Sequence, residues 1–180
     1  MKKLYKDERG FTLIEMLVVL VLIGIITGGI TAAIMQVLTI NTRASNHMIA
    51  VRQVQQAGKE VSKDTLQAQS VNATCSPDFL TLNWIEWAAG NMTGNNHTVI
   101  YTLIDMPSSG LKKLQRKHYI NLTLNSTNII AEYIDDTIDP VIVEPKTRCE
   151  WIDSMLIFTV TATVGTESET RIYEIEPRPD

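Results

Sequence analysis

Residues 11–37 read FTLIEMLVVLVLIGIITGGITAAIMQV, a run of 27 residues with a single charged side chain, Glu15. As a helix this run is roughly 40 Å long, which is enough to cross a hydrocarbon core of about 30 Å with some tilt. A buried core helix of a soluble protein is the alternative, but such a helix rarely extends this far without a polar face. The run therefore predicts a transmembrane helix, which we place at residues 11–40.

Basic residues are concentrated on the N-terminal side of this run. Arg43 is the first to follow the run, whereas four precede it: Lys2, Lys3, Lys6 and Arg9. Because the more positive flank of a single span stays in the cytoplasm, we expect the bulk of the chain outside it. A secretory signal also begins with basic residues, but its apolar region has only about 7–15 residues. The apolar run here is nearly twice as long, which favours a retained anchor. Because residues 31–33 are small, cleavage there by general signal peptidase is the alternative.

Composition and motifs do not indicate an enzyme. The formal net charge is −4 and no cluster of Lys and Arg forms a basic stripe, so nucleic acid is not expected as a partner. No HExxH motif, nucleophile elbow or Gly-rich phosphate loop occurs. The three histidines, His47, His97 and His118, share no motif with a cysteine or a carboxylate. We therefore expect neither catalysis nor a cofactor.

The border between the basic leader and the apolar run reads RGFTLIE at residues 9–15. It resembles the N-terminal signal of type IV pilins and type II secretion pseudopilins, with Gly at the cut, Phe after it and Glu at the fifth mature position. The resemblance implies that a prepilin peptidase removes a leader of residues 1–10 by cutting between Gly10 and Phe11. It also implies that the same enzyme methylates the new N-terminal amine of Phe11.

Glu15 is a carboxylate inside the apolar run, where insertion costs around 2.5–3.5 kcal/mol. The resemblance implies a role in assembly, in which Glu15 meets the N-terminal amine of Phe11 on a neighbouring mature subunit. The alternative is that Glu15 reaches the nearby lipid headgroups and interacts with the positive end of the helix dipole.

Beyond the span, the pattern predicts that the helix continues as an amphipathic segment through residues 41–71. Apolar residues recur there at intervals of three, four and seven: Ala50, Val54, Ala57, Val61, Ala68 and Val71. Such a stripe is typical of a helix that packs on a sheet. The polar residues between them are expected to face water: Arg52, Gln55, Lys59 and Lys63.

Residues 72–180 predict an antiparallel β head. Runs rich in Thr, Ile, Val, Tyr and Trp indicate strands near residues 79–87, 98–104, 111–120, 129–134, 155–164 and 171–175. Residues 163–167 are typical of a hairpin connection, and residues 139–145 of an irregular loop. The predicted fold class is α+β with the pilin-like architecture: a long N-terminal helix, transmembrane and then amphipathic, packed on an antiparallel sheet.

Two features of the head are candidate sites. Cys75 and Cys149 are too far apart in sequence for a typical zinc site, and outside the cytoplasm they are candidates for a disulfide. A loop could gather four acidic residues around Ca²⁺, although a solvated turn is the alternative: Asp135, Asp136, Asp139 and Glu144. The three tryptophans are expected to pack in the core or sheet rather than form a ligand platform: Trp84, Trp87 and Trp151.

Residues 53–64, 111–114 and 173–179 resemble the J-type minor subunits of type II secretion systems, or the corresponding minor pilins. The resemblance implies a structural subunit that is held in the inner (cytoplasmic) membrane and assembled into a pilus or pseudopilus. Its implied partners are other pilin or pseudopilin subunits, prepilin peptidase, an inner-membrane assembly platform and membrane lipid. The alternative function is that of a single-pass anchored binding protein that does not polymerise.

Overall fold

The computed structural model describes residues 10–73, 79–87, 94–107 and 109–177 of the chain. Within them, one long helix is followed by eight strands. Residues 1–9 of the predicted leader lie outside the described residues, and so does Cys75. The chain divides into two compact units, Met1–Thr42 and Arg43–Asp180.

Helix α1 spans Leu13–Thr65 and contains the apolar run from Leu13 onward. Every residue of α1 within the first unit is exposed. Four threonine hydroxyls in this part donate a hydrogen bond to the backbone carbonyl four residues earlier: those of Thr27, Thr31, Thr39 and Thr42. Each bond satisfies the hydroxyl within the helix itself, so these residues are compatible with an apolar environment.

In the second unit α1 is amphipathic and packs on the sheet. Its buried residues include the predicted stripe from Ala50 to Val61, and the predicted polar face is exposed, which confirms the pattern. The helix ends at Thr65, however, six residues before the predicted boundary at residue 71. The chain leaves the helix there because Gln69 N–H donates to the carbonyl of Asn83, 2.8 Å away, and so begins pairing with a strand.

The head is a single curled antiparallel sheet. Its strands are β1 (Ser70–Asn72), β2 (Leu80–Glu86), β3 (Asn95–Asp105), β4 (Lys112–Ile120), β5 (Thr123–Ile134), β6 (Arg148–Ile152), β7 (Met155–Val164) and β8 (Glu167–Ile175). The order is β1-β2-β3-β4-β5-β7-β6, and β8 also pairs with β7. Strand β7 pairs with β6 over residues 155–159, and with β5 at Ala162 alone.

All six predicted strands are confirmed, as β2, β3, β4, β5, β7 and β8, whereas β1 and β6 were not predicted. The β6–β7 hairpin turns at Asp153 and Ser154, with φ of 50° and 65°, and the β4–β5 hairpin at Asn121 and Leu122, with φ of 50° and 68°. Positive φ at both central residues is type I′ geometry, which sequence usually marks with a glycine. The predicted hairpin at residues 163–167 is confirmed, with Gly165 at φ 61°.

The core lies between α1 and one face of the sheet. Its largest fully buried apolar side chains come from α1 and from β2, β3, β4, β5 and β7: Val54, Val61, Leu80, Leu82, Val99, Tyr101, Leu114, Ile134, Leu156, Phe158 and Val160. A Cβ atom at Gly58 would overlap the ring of Tyr173, whose hydroxyl donates to the carbonyl of Val54 at 3.1 Å. Gly58 is therefore needed for the close approach of α1 and β8.

A buried ion pair fixes the end of α1 to the sheet. Arg116 on β4 donates from Nε to Asp64 Oδ2 at 2.6 Å and from Nη2 to Oδ1 at 3.0 Å. The Tyr101 hydroxyl donates to the same Oδ2 at 2.6 Å. Burial, with the Asp64 carboxylate beside it, raises the pKa of Tyr101 and keeps it a donor. These three donors offset the unfavourable placement of a carboxylate in the last turn of a helix.

Candidate functional site

The predicted cleavage junction precedes the first turn of α1. Gly10, Phe11 and Thr12 lie outside regular secondary structure, and all three are exposed. Among the described residues, and apart from Gly10 itself and its chain neighbours, no heavy atom lies within 4 Å of the position that a Cβ would take at Gly10. The described side of the junction is therefore an accessible segment of chain next to the helix.

Glu15 lies in the first turn of α1, where Thr12 is the N-cap. Thr12 Oγ1 accepts a hydrogen bond from Glu15 N–H at 3.3 Å, and the Thr12 carbonyl lies 3.1 Å from the same nitrogen. Thr-x-x-Glu is the sequence of a capping box, and the positive end of the helix dipole favours a carboxylate here. Among the described residues the exposed Glu15 side chain has no hydrogen-bond or ion-pair partner. Its carboxylate is thus available to another molecule.

The apolar run presents a continuous exposed surface. Its large apolar side chains between Phe11 and Ile40 are from 44% to 85% exposed. Monomeric soluble proteins rarely expose so extensive an apolar patch. Such a patch marks an interface with a membrane or with another protein. The described part of the chain has one helix long and apolar enough to cross a membrane, and none of its most apolar window is buried. A buried core helix is therefore excluded.

The structure directs the four candidate calcium ligands to other partners. Asp135 accepts from Lys146 Nζ at 2.8 Å, Asp136 lies 3.4 Å from Lys112 Nζ, and Glu144 lies 3.2 Å from Arg148 Nε. Asp139 accepts from the backbone of Val141 within the loop. No group of three or more His, Cys, Asp or Glu side chains that could hold a metal occurs in the described part of the chain.

Asp135 is the most buried of these carboxylates. Burial alone would raise the pKa of Asp135, but hydrogen bonds from Lys146 and Thr137 outweigh burial and hold that pKa below its usual range. The charged carboxylate therefore tethers the 135–147 segment to the sheet, where Thr163 also lies 3.2 Å away. Asp135 is therefore buried and paired rather than solvated, whereas Glu144 is exposed, and a calcium-binding role for the four residues stays a prediction.

Cys149 is buried in β6. It lines a small cavity of about 110 Å³ together with Phe79, a residue only four positions after Cys75 in the sequence. Cys75 itself lies outside the described residues, so the disulfide stays a prediction.

The structure also assembles an aromatic cluster that the sequence did not indicate. Trp84 on β2 stacks on His97 of β3 with ring centroids 5.3 Å apart, and His97 stacks on His118 of β4 at 5.2 Å. Nδ1 of His97 lies 2.9 Å from Nε2 of His118, within hydrogen-bond distance. Trp84 on β2 and Trp151 on β6 lie in the sheet, as expected, but Trp87 is 65% exposed and Trp151 is 42% exposed, so neither of these two packs in the core.

This cluster lies in a groove of about 860 Å³ beside the C-terminal end of α1. Burial, followed by the neighbouring charges of Arg116 and His97, lowers the pKa of His118. Sequence reasoning missed the cluster because the two histidines are 21 residues apart and meet only through the β3–β4 register. The alternation of residues along two paired strands would have revealed it once that register was known.

The N-terminal segment matches a known family. The family described as the prokaryotic N-terminal methylation motif matches residues 5–31. Neither the curated proteins nor the solved structures contain a match to this chain. The motif supports a type IV pilin-like precursor, and it implies processing by prepilin peptidase and assembly with other pilin subunits. Together with the single apolar helix, it fits a membrane-anchored, single-pass protein.

Proposed function

We propose that this protein is a minor pilin or pseudopilin, a structural subunit of a type IV pilus or a type II secretion pseudopilus. The observation that carries the proposal is the fully exposed apolar half of α1, which begins within the matched methylation motif. Prepilin peptidase removes residues 1–10 and methylates Phe11. Residues 11–40 then hold the subunit in the inner membrane with its head outside the cytoplasm, until the assembly platform extracts it.

An exposed apolar helix needs a partner at each stage of this path. Before assembly, membrane lipid covers the surface from Phe11 to Ile40. In the filament the helices of other subunits replace the lipid. Gly24 and Gly28 suit this exchange, because they stand four residues apart and, beyond the helix's own nearby backbone, no described atom lies within 4 Å of where their Cβ atoms would be. Small residues at this spacing let a second helix approach closely.

Glu15 provides the polar contact of this interface in our proposal. Its carboxylate is exposed in the first turn of α1, and cleavage creates an amine at Phe11 of the next subunit. In a medium of low dielectric constant these two charges attract each other strongly. An amine left there without its partner is strongly unfavourable. Cleavage and assembly are thereby coupled, since the uncut chain has no amine at Phe11.

The subtype within this class rests on residues outside the apolar run. The resemblance of residues 53–64, 111–114 and 173–179 to J-type subunits favours a minor subunit, and a structural rather than an enzymatic role. An anchored binding protein that never polymerises is the competing function. It would keep its leader and remain monomeric in the membrane.

Filament incorporation of Glu15 variants tests the proposal. Glu15→Ala should insert in the membrane and be cleaved normally, but its amount in sheared filaments should fall severalfold or more because the neighbouring amine loses its partner. Glu15→Gln should give an intermediate amount. Glu174→Ala removes one exposed carboxylate from β8 and is the matched control, which should assemble as the wild type does. Wild-type incorporation of Glu15→Ala would contradict the proposed role.

A further inference from the structure

We propose that the groove beside the C-terminal end of α1 binds a neutral oligosaccharide of flat, β-linked pyranose rings. The groove has about 860 Å³ of space, which is within the range of pockets that hold small ligands. Its residues all belong to the second unit, Arg43–Asp180, so this function is independent of assembly through the apolar run.

Trp87 gives the groove an exposed aromatic face. The ring lies against Gly94, where a Cβ would be 3.2 Å from Cδ2 of Trp87 and would overlap the side chain of Ile85. A bare backbone at this position is therefore what allows the indole to rest there. Trp84, half-buried in the same groove, is held by its stacking on His97. Two supported indoles are large, rigid apolar surfaces that a ligand can cover at little entropic cost.

Polar groups surround these indoles. The amide of Gln67 is exposed in the groove, and so is the carboxylate of Glu86. Nε2 of His97 is buried and makes no hydrogen bond to the described residues, although Glu86 Oε2 is 3.1 Å away at an unfavourable angle. The exposed amide and carboxylate together match hydroxyls, each of which both donates and accepts a hydrogen bond.

The charges of the groove do not favour a nucleic acid. Lys63 and Arg116 are matched in number by Asp64 and Glu86, and Arg116 is committed to Asp64 through two hydrogen bonds. Proteins that bind single strands combine aromatic stacking with a positively charged groove that follows the phosphates. This groove has the stacking surface without the excess of positive charge.

The edge of β2 does not favour an added peptide strand either. Pairing of β2 with β1 stops at Asn83, which leaves Ile85 as the next residue whose backbone N–H points outward. That N–H already donates to Oε1 of Gln69 at 3.0 Å. Strand addition requires free backbone donors at the edge, and here the side chain of Gln69 already occupies the N–H of Ile85.

A β-linked pyranose chain fits what remains. Its ring faces carry axial C–H groups and are apolar, whereas its equatorial hydroxyls point outward from the ring edges. The faces would cover Trp84 and Trp87, and the hydroxyls would meet Gln67 and Glu86. A neutral sugar also requires no net charge in the groove.

The test is a titration of the mature full-length chain in lipid nanodiscs with cellohexaose and with chitohexaose, followed by tryptophan fluorescence and calorimetry. The wild type should bind at least one of them saturably. Trp87→Ala should weaken binding about tenfold or more. Because Trp87 is exposed, the variant should keep the wild-type fold, which circular dichroism checks. Trp151→Ala removes a partly exposed indole on β6 outside the groove and is the matched control, which should bind normally.

Gln67→Ala provides a second variant, because its exposed side chain is not part of the core. It should weaken binding severalfold with no change in unfolding. The proposal is overturned if neither oligosaccharide binds saturably at millimolar concentration, or if Trp151→Ala loses as much affinity as Trp87→Ala. Tighter, salt-dependent binding of oligothymidylate would also overturn it, in favour of a nucleic-acid site.

Discussion

The ion pair between Asp64 and Arg116 should be the most sensitive point of the head. The side chains of Arg116 and Asp64 are only 14% and 3% exposed, and Tyr101 donates to the same carboxylate. Asp64→Ala leaves a guanidinium and a phenolic hydroxyl largely buried without their acceptor. Removing one partner of a buried pair typically costs about 3–5 kcal/mol, so we expect a loss of about 4 kcal/mol in the free energy of unfolding.

A double-mutant cycle isolates the ion pair from the loss of side-chain packing. Arg116→Met removes the charge but keeps most of the apolar stem, so the double variant Asp64→Ala with Arg116→Met contains no unpaired charge. It should be considerably more stable than the sum of the two single losses predicts, by about 2 kcal/mol or more. Some loss should remain, because the Tyr101 hydroxyl still lacks an acceptor.

Urea unfolding of the head, followed by tryptophan fluorescence, measures these free energies. Asp105→Ala is the matched control, since Asp105 is 87% exposed in its ion pair with Lys112. Exposed pairs contribute about 0–1 kcal/mol, so this variant should be close to the wild type. If Asp64→Ala loses no more stability than Asp105→Ala, the ion pair does not fix the end of α1 to the sheet as described.

Two further predictions concern the packing and the titration of the head. Gly58→Ala should destabilise the head by about 1–3 kcal/mol in urea unfolding, because the added methyl overlaps the Tyr173 ring; an increase in stability would contradict this packing. The folded-state pKa of His118 is lowered from 6.5, so the unfolded chain binds more protons below that pH and stability should fall on acidification. His118→Gln should reduce the slope of stability against pH between about pH 7 and 5, and an unchanged slope would exclude His118 as its source.

The N-terminal helix was predictable from sequence because the interactions that form it join residues close together in the chain. A predominantly apolar run of 27 residues leaves few options for the backbone other than a helix, and the RGFTLIE border depends on adjacent residues alone. The amphipathic stripe from Ala50 to Val61 was predictable for the same reason. The end of α1 was not, since the helix ends at Thr65 and Gln69 then pairs with Asn83, a residue distant in sequence.

The features that sequence missed depend on register and on turns without a glycine. Strand β6 was not recognised because its hairpin turns through Asp153 and Ser154, which adopt positive φ without the usual glycine. The groove was missed because Trp84, His97 and His118 lie on three different strands. Their contact is set by the pairing of β2, β3 and β4, which no local pattern reveals.

The N-terminus of the protein recovered from its native membrane or filaments tests the central claim most directly. Peptide mass spectrometry should find a chain that begins with N-methylated Phe11, with 170 residues left after ten of the 180 are removed. The same protein from cells without prepilin peptidase should begin at Met1 and stay in the membrane. A chain that begins at Met1 within native filaments, or a soluble chain that begins near Ala33, would contradict the account.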